Sequence, residues 1–256
     1  VTITTPPSVV EALDPVDVID AYTDVLTLVS AAAPGLLTAL GLQQDVQDGL
    51  TALSTFTYRA STINASTNMT AVEKTTAYDT LLTDVDAAMK DLPKSIIVTK
   101  SVTDSVIVGV DDITDMVVLP TQRTADAKNK IYAYQNKFTV SATAQFYTVT
   151  YFSGGTDSGT YIEKTVSGSG TNVNVVEVIP ASVASNDAVI QFGGAPQILR
   201  SASPVIASWL ASSVSGQKIS YTVEGDQVAD LPLLKTILVP QVLPSESAPQ
   251  ESGGIS

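Results

Sequence analysis

The hydrophobic period changes along this chain, and that change limits the folds open to it. Between Asp14 and Met89 apolar residues recur at spacings of three and four, whereas beyond about Lys130 they alternate. The first spacing puts apolar side chains on one face of a helix, and the second on one face of a strand. The pattern predicts an α+β fold: an N-terminal helical region followed by an antiparallel β-sandwich, jelly-roll or immunoglobulin-like, with one inserted helix.

The helical part carries its own boundaries. Asp14-Pro15 fits an N-cap with proline in the first turn, and Val18, Tyr22, Val25 and Val29 then repeat at helical spacing. Ala33-Pro34-Gly35 breaks this run, and a second short helix is expected to continue through Leu42. Val46, Leu50, Leu53 and Phe56 mark another helix. Thr70-Ala71-Val72-Glu73 is a capping box, after which Leu81, Leu82, Val85 and Met89 lead to a stop at Pro93. Residues 95–118 suit either element, because Val102, Val106, Val110 and Ile113 are helically spaced while the segment is dense in β-branched side chains.

Further along, Phe146–Phe152 has strand composition, and a Ser/Gly-rich loop connects it to a strand over Thr160–Val166, which predicts a hairpin. Strands are expected near Val173–Ile179, Ala188–Phe192, Ile219–Val223 and Leu234–Val239. The inserted helix is placed at Ser203–Val214, with Ser203 as N-cap, Pro204 in the first turn and Ile206, Leu210 and Val214 four apart. The resulting division is a mainly helical region with a short terminal strand at 1–118, a β-sandwich at 119–243, and a Ser/Pro/Gly-rich tail at 244–256.

Residue usage narrows the chemistry. The 256 residues include no His and no Cys, which excludes imidazole acid–base catalysis, His-dependent triads, thiolate nucleophiles and disulfides. Polar surface comes from 57 Ser and Thr more than from the 15% of charged residues. A net charge of -13 with no basic run argues against direct nucleic-acid binding. Charge is also uneven: no Lys or Arg precedes Arg59, while Glu11, Asp14, Asp17, Asp20, Asp24, Asp45 and Asp48 are acidic. The chain opens on Val1 without a signal peptide. Removal of an upstream targeting segment, or trimming of an initiator Met, would each leave that start, and the Thr/Ser/Val-rich composition favours the first.

No constellation stands out as catalytic, cofactor-binding or metal-ligating. Asp14, Asp17, Asp20 and Asp24 diverge along a helix and read as a solvated face, and Asp111-Asp112-Ile113-Thr114-Asp115 lacks the Gly and distal Glu of a calcium loop. Glu163 and Glu177, on neighbouring predicted strands, are one of the carboxylate pairs that such an acidic chain offers a hydrolase, a function that ranks last among those expected. Trp209 reads as a core or interface anchor. The uncharged stretch 25–44 is broken by Pro34-Gly35, so a buried helix–break–helix is favoured over membrane contact. Asn64 and Asn68 head two N-glycosylation tripeptides in one interhelical loop.

Together these features lead to an expectation rather than an identification. A chain poor in catalytic side chains, with ends suited to reaching a neighbour, is expected to be a non-enzymatic structural subunit of a repeating extracellular, cell-surface or virion assembly such as a shell, tube or filament. Its partners would be copies of itself and other assembly subunits. The alternative is a surface adhesin whose β-sandwich binds a glycan or receptor.

Overall fold

The computed structural model describes residues 14–106, 125–202, 204–225, 228 and 230–240. Four helices open the described chain: α1 (Pro15–Ala32), α2 (Pro34–Ala39), α3 (Leu42–Ala65) and α4 (Ala71–Met89). Each boundary has a local cause. Asp14 Oδ1 accepts from the Val16 N–H at 2.9 Å, so α1 begins where expected. Gly41, at φ 70°, takes the left-handed turn that lets α3 start directly after α2. Thr70 and Glu73 form the reciprocal capping box of α4.

The helices bury Ile19, Leu26 and Val29 of α1, Leu36 and Leu37 of α2, Val46 and Leu53 of α3, and Leu81, Val85 and Met89 of α4. Val18, Tyr22 and Val25 flank that face half-buried, and Asp17, Asp20 and Asp24 are exposed, as a solvated acidic stripe should be.

Two antiparallel sheets follow. The first has the order β1-β2-β3-β8-β5, with β1 (Pro93–Val106), β2 (Phe138–Tyr151), β3 (Thr156–Gly168), β5 (Ile190–Phe192) and β8 (Gln217–Glu224). The second has the order β6-β7-β4-β9, with β4 (Thr171–Ile179), β6 (Gln197–Arg200), β7 (Val205–Ser213) and β9 (Lys235–Pro240). The sheets face each other across one apolar core to which Ala144 and Phe146 of β2, Ile162 of β3, Val175 of β4, Tyr221 of β8 and Leu238 of β9 contribute. The opposite face of the first sheet presents Ile96, Tyr147, Val149 and Tyr161 to the helices, extending the helical core onto it. The fold is therefore α+β, as the change of period implies.

An additional helix, α5 (Ala125–Gln135), covers the outer face of the second sheet. Its Ile131 packs on Val176, Val178, Ile206, Ile237 and Val239. Gln135 completes the attachment: its side-chain amide donates to Leu238 O at 2.7 Å and its Oε1 accepts from Leu238 N at 2.9 Å. That pairing gives the edge strand β9 at one residue what a further strand would give it.

The structure corrects two expectations. The helix expected at Ser203–Val214 is the strand β7; Val205 and Ala211 belong to the core between the sheets while Ile206 lies under α5. Val205–Ser208 is buried on both faces and so lacks polar alternation, and the fortuitous spacing of four from Ile206 to an exposed Leu210 resembles a helix. The helix α5 occupies a stretch expected to begin the β region, because Ala127 and Ile131 alone mark its buried face. The ambiguous segment resolves as strand over Pro93–Val106. The expected boundary at 118, the terminal strand Val1–Thr5, Ser203, Asp111–Asp115 and the tail 244–256 lie outside the described residues.

Candidate functional site

The most fully built polar centre lies between the sheets. On β3 the inward register runs Thr160, Ile162, Lys164, Val166; on β4 it runs Val173, Val175, Glu177, Ile179. Alternation thus drives a lysine and a glutamate into an otherwise apolar space, and both are 0% exposed. Tyr221 enters from β8 and Thr236 from β9, so four strands of both sheets meet at this point.

Every strong donor and acceptor there is used. Lys164 Nζ donates to Glu177 Oε1 at 2.5 Å, Leu234 O at 2.7 Å and Thr236 Oγ1 at 2.8 Å, which accounts for all its protons. Glu177 Oε1 also accepts from the Tyr221 hydroxyl at 2.7 Å, and its Oε2 from the Thr236 hydroxyl at 2.6 Å. Thr236 therefore bridges amine and carboxylate, accepting from one and donating to the other. Among the described residues no buried side-chain polar atom lacks a hydrogen-bond partner.

Burial dominates the electrostatics. It pushes the Lys164 ammonium below its ordinary value, against the opposing pull of Glu177, and the nearby Lys235 charge adds to the lowering. It pushes the Tyr221 phenol well up, helped by the Glu177 charge. Two ions in such a place demand complete pairing, because either alone would be an uncompensated charge in a dry interior.

A second polar feature is open to solvent. A cleft of about 600 Å³ lies between the α2–α3 turn and the first sheet, lined by Leu40, Tyr147, Tyr151, Asp157 and Glu224 among others. The Tyr151 hydroxyl donates to Asp157 Oδ2 at 2.7 Å. Burial raises the Tyr147 phenol; Glu224 and Asp157 raise it further, while a hydrogen bond with Thr222 works the other way. Gly159 is required here, since a Cβ would sit 2.4 Å from Val223 O and 2.8 Å from the Tyr147 hydroxyl. Carboxylates beside phenol rings can accept hydrogen bonds from a hydroxyl-rich ligand.

The residues singled out from the sequence scatter. Glu163 and Glu177 do not converge: Glu177 is sealed between the sheets, whereas Glu163 takes Lys218 Nζ at 2.9 Å and the Tyr161 hydroxyl at 3.3 Å on the outer face. Trp209 lies half-buried on β7, donating to Gly193 O at 3.1 Å with its ring 5.8 Å from Phe192. Asn64 is exposed in the last turn of α3 and Asn68 in the loop before α4, so one acceptor stands on a helix and not in the loop. Among the described residues no helix is long and apolar enough to cross a membrane. Lys164, Tyr221 and Thr236 escaped notice, although a lysine and a glutamate each in the apolar register of consecutive strands is a readable signal. No family model, no curated protein and no solved structure matches the chain.

Proposed function

We propose that the chain is a structural subunit of a repeating assembly, a shell, tube or filament outside the cell or in a virion, and that copies join through termini and sheet edges. We further infer that the facing sheets form a jelly-roll or immunoglobulin-like sandwich; the chain's repeated passage between sheets, from β3 to β4 to β5 to β6, supports that type.

The observation that carries the reading is β1. This 14-residue strand is bonded to β2 on one side, and no described strand pairs with the other. Register irregularities and Lys94 guard its first half, as edge strands usually require, but the register from Lys100 to Val106 is unbroken. That stretch can accept a short added strand. Val1-Thr2-Ile3-Thr4-Thr5 of a second copy is the occupant with the matching alternation. The acidic, base-free region that follows it complements Lys94 and Lys100.

Cysteine cross-linking tests the docking cleanly, since the native chain has no thiol. A Thr103→Cys copy mixed with a differently tagged copy carrying one cysteine among residues 1–5 should give a disulfide-linked pair of unlike copies. Failure across that whole panel contradicts the reading. The Asp157–Glu224 cleft supports a second reading, a surface adhesin binding a glycan. It is tested by glycan-array binding of the full chain, which Glu224→Ala should abolish.

A further inference from the structure

We propose that Lys164 and Glu177 become joined by an amide bond, a self-formed covalent staple between the two sheets. The geometry supplies each part of that reaction. Lys164 Nζ is hydrogen-bonded to Glu177 Oε1 itself, one bond from the carbon it would attack, and both side chains are fully sealed from solvent. Holding reactants so is worth effective concentrations of about 10⁵–10⁸ M in well-oriented intramolecular reactions. The dry surroundings push the Lys164 ammonium toward the neutral amine, and they exclude the bulk water that would return the amide to its parts.

Thr236 completes a proton circuit. Its Oγ1 accepts from Lys164 Nζ and its hydroxyl donates to Glu177 Oε2, so one proton passed along this path turns ammonium and carboxylate into amine and acid. The Nζ lone pair then attacks Cδ, and the C=O electron pair moves onto Oε1, where the Tyr221 hydroxyl stabilises the oxyanion. A second proton travels from nitrogen through Thr236 to the Oε2 hydroxyl. The Cδ–Oε2 bond breaks, the carbonyl re-forms, and one water leaves. The ammonium's two lost protons are those of that water together with Oε2, so the step balances without oxidant or co-reactant. The N–H that the amide retains has its acceptor waiting in Leu234 O.

The product would link β3 of one sheet to β4 of the other in a chain that has no cysteine for the purpose. It does not rest on the assembly reading, because a monomer can close the bond as well as a polymer.

Mass spectrometry of the intact, unmodified chain tests it. The expected mass is lower than that of the sequence by one water. Trypsin cuts after Lys137, Lys164 and Arg200, so a linked chain should yield a peptide 138–200, uncut at Lys164 and lighter by one water. An intact mass equal to that of the sequence, with separate peptides 138–164 and 165–200, overturns the proposal. Thr236→Val keeps the pair and breaks the circuit. Its unlinked mass should predominate, with folding checked by circular dichroism, and a folded, fully linked Thr236→Val chain overturns the relay.

Discussion

Lys164 owes its burial to register: Ile162 and Val166 point inward on either side of it, and no bulge in β3 turns it out. Once there it is tolerated because Glu177, Thr236 and Leu234 O absorb its three protons. Removing one member should therefore cost far more than the net worth of the interaction. Lys164→Met strands a buried carboxylate and is expected to lower unfolding stability by about 3–5 kcal/mol in denaturant titrations. Adding Glu177→Leu should recover the part of that loss due to the stranded carboxylate, while the part due to the missing cross-link remains. A Lys164→Met chain as stable as the native one would contradict the account of this centre. Tyr22 gives a milder residue-level effect. Burial and the Asp86 carboxylate, which accepts from the Tyr22 hydroxyl at 2.8 Å, raise its phenol from 10.0 to about 12. The unfolded chain gives up this proton first, so the contribution is present below pH 10 and is lost as pH climbs toward 12. Tyr22→Phe should remove about 1 kcal/mol of the alkaline drop in stability, a figure reduced for the ring's partial exposure to solvent. An unchanged drop between about pH 9 and about pH 12 would count against it.

At the scale of elements, caps and clamps decide where segments begin and how they are held. Thr70→Ala removes the α4 N-cap and should cost about 1 kcal/mol, measured by thermal or denaturant unfolding. Gln135→Ala leaves the Leu238 N–H and carbonyl without their partners on an edge strand. A loss of about 1–3 kcal/mol is expected, together with faster hydrogen exchange at the Leu238 amide. Slow exchange there in the variant would show that something else protects β9. These same local devices explain what could be foretold. The helices α1 and α4 were legible because Asp14-Pro15 and Thr70–Glu73 act within one turn of the chain, and the β2–β3 hairpin because its loop is short and rich in glycine. The strand β7 was not, since Ile206 is apolar only because α5 lies over it, a contact between segments far apart in sequence. The centre at Lys164 needed two registers compared across two sheets, which alternation within one strand cannot supply.

For the whole molecule, layers run from helices α1–α4 through the two sheets to α5, and among the described strands β1 stands at one end of the first sheet. Among the described residues β1 has a strand partner on one side only, and its other side is where the proposed assembly would add a strand from the next copy. The proposed assembly makes the segment 1–7 necessary for association. Negative-stain electron microscopy of the full chain beside a chain lacking residues 1–7 tests this most directly. The account predicts regular repeating particles from the first, and folded, dispersed monomers from the second. Dispersed monomers from the full chain at high concentration, or identical particles from both, would contradict it.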